Sequence, residues 1–238
     1  MRKLLVLTLA FSLFLFSCGK DAAQTTEITT ENTTITVATE PSVGAETTFE
    51  DVKVETPTIA PDVDVKYEVL ELDDEELQEI IDEKAAEILA SYIPNISSIS
   101  EMGGTAEYNV KLSRMYKSEN IISAVFSGSY AIYYENSEEG GEVLYTVNVD
   151  RKSGKLLETP DIVDYEKMVE AFANGNFDVS PDFSQYNSAY GIYPYVAIEN
   201  VGEEIRLGVY VTRSGMYEEV LGYYISLDAA KDFLKIGE

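Results

Sequence analysis

A two-residue alternation of apolar side chains within Ile121–Leu157 constrains the fold of this chain more than any other feature. Apolar residues occupy every second position of Ile122–Tyr134, apart from one glycine, and every second position of Val143–Val149. This period is typical of β-strands that bury one face. Polar, glycine-containing segments at 136–141 and 152–154 separate the runs. We therefore predict a β-meander of three strands, with a loop at each of those segments.

Helical spacing appears on both sides of the meander. Apolar residues recur every three or four positions between Leu77 and Tyr92, after the acidic start Asp73–Glu76 and before Pro94. Acidic residues suit the positive end of a helix dipole, and proline ends a helix. A shorter helix is predicted over Ile162–Phe172. Strand pairs interrupted by single helices indicate an α+β fold, in which a long N-terminal helix and one or two shorter helices pack on an antiparallel sheet.

Residues 1–17 have a basic start and an apolar run with the length of a signal-peptide core. The sequence Leu15-Phe16-Ser17-Cys18 at its end resembles the bacterial lipoprotein signal, in which the cysteine becomes the acylated N-terminus. The resemblance implies a lipid at Cys18 and a position on the extracytoplasmic face of a bacterial cell membrane. An ordinary secretory signal with an incidental thiol is the alternative.

The next segment, residues 18–62, is rich in threonine and acidic residues and contains one aromatic residue, Phe49. A segment of this composition buries too little apolar surface to offset the entropy of ordering it. We predict a disordered tether over 18–62 and one α+β domain over 63–238.

Charge and composition exclude several classes of function. The chain has 43 acidic and 17 basic residues, no histidine and one cysteine. The net charge of −26 repels nucleic acid and attracts cationic proteins, although acidity could serve only solubility. The absence of histidine rules out Ser-His-Asp catalysis and Cys/His zinc sites. We predict no enzymatic activity, no cofactor and no metal; hydrolysis by a pair of carboxylates stays as an alternative.

The chain has 17 tyrosines and no tryptophan. Tyrosine joins an apolar ring to a polar tip, so it suits recognition surfaces and half-buried sheet faces equally. Two groups of residues form the predicted binding surface: Tyr186, Tyr190, Tyr193 and Tyr195 in an irregular region, and Glu138, Glu139 and Glu142 in an acidic loop. The alternatives are rings packed over a sheet and a merely solvated loop.

The stretch Tyr145–Leu157, with the strand pattern before it and the helical pattern after it, resembles a family of extracytoplasmic domains. That family is typified by the sensor region of the lysozyme-responsive anti-sigma factor RsiV and also occurs beside the catalytic domain of a cell-wall deacetylase. The matching features are Asn148-Val149-Asp150 and the turn at 152–155. The resemblance implies a binding or sensory domain for a protein, such as a cationic lysozyme-like one, or for a cell-envelope component. An accessory cell-wall protein without its own ligand is the alternative.

Overall fold

The computed structural model describes residues 26–30, 33–38, 50–57, 62–93, 96–213 and 219–236. Its strands form two sheets. The six-stranded sheet contains, in spatial order, β3 (Val52–Glu55), β4 (Val63–Leu70), β5 (Thr105–Lys117), β6 (Ile121–Tyr134), β7 (Ser137–Asp150) and β8 (Lys155–Leu157). The five-stranded sheet contains, in spatial order, β1 (Thr26–Thr30), β2 (Thr33–Ala38), β11 (Glu219–Ser226), β10 (Glu204–Arg213) and β9 (Tyr195–Val201). Neighbours are antiparallel except β4 and β5, which are parallel. The α+β prediction is confirmed.

The helices are α1 (Glu75–Tyr92), α2 (Ile96–Glu101), α3 (Thr159–Ile162), α4 (Tyr165–Ala173) and α5 (Leu227–Ala230). The predicted long helix corresponds to α1, which begins where the Asp74 carboxylate accepts a 3.0 Å hydrogen bond from the backbone N–H of Leu77. Its buried stripe, Leu77, Ile81, Ala85 and Leu89, packs on one face of the six-stranded sheet, which we call the first face. We call the opposite face the second face.

The central meander has the predicted strands but not the predicted first loop. The turn at 135–136 is tight, and β7 already begins at Ser137, with Glu138 opposite Tyr133 and Gly140 opposite Ala131. Pairing with β6 outweighs the low strand preference of glutamate and glycine. The second predicted turn is present, and Gly154 has the positive φ of 64° that it needs.

The five-stranded sheet lies on part of the second face. Its far side is buried under α3, α4 and α5 by apolar residues from both layers: Ile162, Met168, Phe172, Leu207, Val209 and Ile225. The helix predicted over Ile162–Phe172 is divided into α3 and α4 by an extended residue at Val163. Strand β9 was not predicted, because VAIENV lacks a clear alternation.

Part of the segment predicted as a tether forms strands in the described residues: β2 pairs with β11, and β3 pairs with β4. The disordered tether over 18–62 stays a prediction. The rest of the tether, the signal segment 1–17 and Cys18 lie outside the described residues. No helix in the described ranges has the length and apolarity needed to span a bilayer.

Candidate functional site

The second face has two parts, which we call the covered half and the open half. The covered half is formed by Ser123, Val125, Leu144, Thr146 and Asn148, which the five-stranded sheet buries to 7% exposure or less. The open half is formed by the same faces of the same strands nearer the β6–β7 turn. Its residues Thr105, Glu107, Asn109, Ser129, Tyr133 and Glu138 are exposed.

Arg114 reaches the covered half because β5 contains a bulge. The pairing of β5 with β6 shifts between Leu112 and Arg114, and Ser113 is the extra residue. Before the bulge Leu112 faces α1, whereas after it Met115 faces α1 and Arg114 faces the five-stranded sheet. One inserted residue therefore reverses the direction of every side chain that follows.

Arg114 meets a buried carboxylate there. Glu199 of β9 is fully buried, and its Oε1 accepts a 2.5 Å hydrogen bond from the hydroxyl of Tyr210. Its Oε2 lies 3.2 Å from Nη1 of Arg114, which is an ion pair without hydrogen-bond alignment. The same Nη1 donates to the hydroxyl oxygens of Tyr210 and Tyr224, and the guanidinium lies 4.9 Å from the centre of the Tyr224 ring.

Burial raises the pKa of Glu199 from 4.5 to about 7, although Arg114 and Tyr210 favour the charged form. Burial also raises the pKa of Tyr210, so its hydroxyl keeps the proton that it donates. A carboxylate removed from water is costly unless its partners replace the lost hydration. Here they replace it only in part, since Oε2 has no hydrogen bond.

Two glycines provide the space for this cluster. A Cβ on Gly208 would lie 1.9 Å from Oε1 of Glu199, and a Cβ on Gly222 would lie 2.9 Å from the Tyr224 hydroxyl. Gly208 is opposite Tyr224 and Gly222 is opposite Tyr210 in the sheet. In both of these cross-strand pairs a glycine is opposite a tyrosine, which leaves room for the polar groups.

Polar side chains of the covered half also form hydrogen bonds with backbone groups at one edge of β9. The Ser123 hydroxyl accepts from the backbone N–H of Ile198 at 2.8 Å and donates to Asn148 Oδ1. The amide nitrogen of Asn148 donates to the carbonyl of Val196 at 3.0 Å. Both backbone groups belong to the strand edge that β10 does not pair. The sheets are therefore joined by specific hydrogen bonds as well as by apolar packing.

Among the described residues, no such layer covers the open half. Across β5, β6 and β7, register aligns three rows: Thr105, Tyr133 and Glu138; Glu107, Ala131 and Gly140; and Asn109, Ser129 and Glu142. On the parallel side, the exposed Asp64 lies beside Glu107. The result is a strip of small residues bordered by carboxylates and one tyrosine.

The three predicted glutamates do not lie together in one loop; all three are on β7. Glu138 and Glu142 share the second face, whereas Glu139 is opposite Ile132 and belongs to the first face. Glu142 is half-buried, and its Oε2 accepts a 2.7 Å hydrogen bond from the backbone N–H of Val220. Glu138 is thus the one of the three that is exposed on the second face.

The four predicted tyrosines are also divided. Tyr190 is 80% exposed on a single turn of 3-10 helix. Tyr186 and Tyr193 are half-buried: the Tyr186 hydroxyl accepts from Thr212 N–H at 2.7 Å, and the Tyr193 ring packs edge-on against Tyr165. Tyr195 is half-buried between the sheets. The interpretation that the rings pack over a sheet therefore holds for three of the four.

A second acidic surface lies on α1. Glu75, Glu79 and Glu83 line a shallow depression of about 530 Å³ with Leu72, Gln78, Asp82 and Ala86. Asp82 accepts hydrogen bonds from Lys53 and Gln78 inside the domain. Among the described residues, no group of three or more metal-ligating side chains is placed to hold an ion.

Comparison with solved structures gives a distant likeness. No protein-family model matches the chain, and no curated protein matches it. A crystal structure described as a DUF3298 family protein from Pseudomonas aeruginosa PAO1 is similar over 90% of this chain and 95% of that chain, with 12% sequence identity and a TM-score of 0.41. A likeness this distant does not indicate what the chain does.

Proposed function

We propose that this chain is a lipid-anchored, extracytoplasmic bacterial protein whose α+β domain binds a cationic protein or a component of the cell envelope without catalysing a reaction. The anchor would be Cys18, and the domain would be RsiV-like. The observation that carries the proposal is the surplus of exposed carboxylates. The chain has 43 acidic residues against 17 basic ones, and among the described residues eight basic side chains already form ion pairs with carboxylates of the same domain.

This surplus supports a cationic partner for a physical reason. Carboxylates on one surface repel one another, and a positively charged protein relieves that repulsion as it binds. The same field opposes the binding of nucleic acid and of anionic headgroups. Lysozyme, a basic protein of the class that the sequence resemblance suggests, is the natural first probe.

The test is calorimetric titration of the processed chain, residues 18–238 with Cys18→Ser, with lysozyme at low salt and at about 0.15 M salt. At the higher salt the Debye length is only about 8 Å, so long-range attraction is largely screened. We expect micromolar or tighter binding that persists at about 0.15 M salt, which requires a shaped interface. Binding at low salt alone would reject the lysozyme-like ligand and favour an accessory cell-wall protein. Turnover of cell-wall material that one carboxylate substitution abolishes would instead indicate a hydrolase.

A further inference from the structure

We infer that the open half of the second face is the surface on which a basic partner protein docks. The inference rests on the proposed function and names the site of that function. It depends on three observations: this part of a sheet face is uncovered, its relief is defined by small residues, and its charge is negative.

The first observation is continuity with an existing interface. Strands β6 and β7 run from the covered half into the open half without a break, whereas β5 continues through its bulge at Ser113, and side chains keep the same face along β6. In the covered half this face accepts a second layer, with Ser123 and Asn148 bonded to the edge of β9. The open half offers the same kind of polar sheet surface, and the described residues place no second layer over it.

The second observation is the relief of the surface. Ala131 and Gly140 are neighbours in the middle of the open half, between the pair Tyr133 and Glu138 and the pair Ser129 and Glu142. A Cβ on Gly140 would lie 2.8 Å from the carbonyl oxygen of Tyr130, so no larger residue fits there. A shallow furrow results, and Tyr133, 37% exposed, forms part of its wall. Tyrosine is enriched at protein interfaces because its ring packs while its hydroxyl bonds.

The third observation is charge. Exposed Asp64 and Glu107 are side by side on adjacent strands, an arrangement that destabilises a sheet unless a cation lies nearby. Lys66 and Lys111, on the same face, neutralise this charge in part. Glu138 adds a further carboxylate across the furrow from Glu107. A lysine or arginine of a partner, placed in the furrow, would meet carboxylates on both sides.

Charge also decides against other occupants. A second copy of this chain would bring the same carboxylates against their equivalents, in a chain of net charge −26. Nucleic acid would place phosphates on them. A basic protein alone replaces repulsion with attraction on this face.

The experiment compares two charge reversals of equal size in the processed chain, titrated with lysozyme at about 0.15 M salt. One variant carries Glu107→Lys and Glu138→Lys on the open half. The matched control carries Glu79→Lys and Glu83→Lys on the exposed side of α1. We expect the first variant to weaken binding at least about 10-fold and the control to weaken it less than about 3-fold, since a docking site is local whereas net charge is global. Tyr133→Ala, which changes no charge, should weaken binding several-fold and leave its salt dependence unchanged.

Each other result overturns a stated part of the account. Equal losses in both charge variants would mean that net charge alone drives binding, and unchanged affinity in the open-half variants would place the site elsewhere; the proposed function survives either result. Failure of the unaltered chain to bind lysozyme at this salt concentration would reject the lysozyme-like ligand and the docking site with it, and would favour an accessory cell-wall protein. A dimer in sedimentation that Glu107→Lys and Glu138→Lys dissolve would make the occupant a second copy. Far-UV circular dichroism checks folding, and if the double variant does not fold, Tyr133→Ala decides alone.

Discussion

The covered and open halves of the second face lie on the same strands but differ in how far their side chains are buried. Over the covered half, one carboxylate, Glu199 of β9, is fully buried and meets Arg114 and the Tyr210 hydroxyl. In the open half, Asp64, Glu107 and Glu138 remain in water. The two cases differ in hydration. A carboxylate buried under a second layer needs partners from its own chain, whereas an exposed carboxylate is hydrated by water and can bind a group of another protein.

The largest expected effect comes from breaking the buried pair. Arg114→Ala removes the guanidinium that favours the charged form of Glu199, so at pH 8 the buried carboxyl group must either stay charged without this partner or take up a proton. We expect the free energy of unfolding to fall by about 3–5 kcal/mol, measured by urea denaturation. The matched control is Lys117→Ala on the same strand, which removes the exposed pair with Asp51, 40% and 42% exposed, and should cost about 0–1 kcal/mol. Equal costs would contradict the buried role of Arg114.

The next largest effect is the pH dependence of the free energy of unfolding. The pKa of Glu199 is raised in the folded state to about 7 from 4.5, so the folded state binds the proton more tightly than the unfolded state. The resulting stabilisation is fully present below about pH 4.5 and is lost as the pH rises through about 7. Relative to Glu199→Gln, the unaltered chain should lose about 3 kcal/mol between pH 5 and pH 8.

Urea denaturation at pH 5, 6, 7 and 8 measures that difference. Glu107→Gln, the matched change on the open half, should stay within about 0.5 kcal/mol of the unaltered chain at pH 8. A Glu199→Gln variant whose stability follows the unaltered chain at every pH would show that Glu199 titrates at its ordinary value.

A smaller effect on stability is expected from removing one serine hydroxyl in each half. Ser123→Ala leaves the backbone N–H of Ile198 and the amide oxygen of Asn148 without these hydrogen bonds in a buried interface. We expect a loss of about 1–3 kcal/mol. Ser129→Ala, on the same strand and face but exposed, should change stability by less than about 0.5 kcal/mol. Thermal or urea unfolding of the two variants side by side tests this, and a similar loss in both would mean that the halves do not differ.

Much of the framework could be predicted from the sequence because it depends on local patterns. The alternation in Ile122–Tyr134, the acidic start and Pro94 around α1, and the glycine turn at 154 each follow from a few adjacent residues. The boundary of β7 could not be predicted, since Glu138 and Gly140 enter the strand through pairing with β6 rather than through their own preference.

The buried polar cluster at the covered half could not be predicted from the sequence for a related reason. Arg114 is far along the chain from Glu199 and Tyr210, and a bulge at Ser113 decides that Arg114 faces the other two. The one local signal was a glutamate within the apolar run of β9, together with a single glycine in each of β10 and β11. The sequence did not show that three of the four predicted tyrosines are half-buried against the rest of the domain, and their role in binding stays a prediction.

Carbodiimide labelling of carboxylates, read by mass spectrometry with and without lysozyme, tests the division of the second face most directly. In the free chain, Glu107 and Glu138 should be labelled and Glu199 should not. With lysozyme bound, we predict protection of Glu107 and Glu138, while Glu79 and Glu83 on α1 stay labelled. Labelling of Glu199 in the folded chain, or protection confined to α1, would contradict the account.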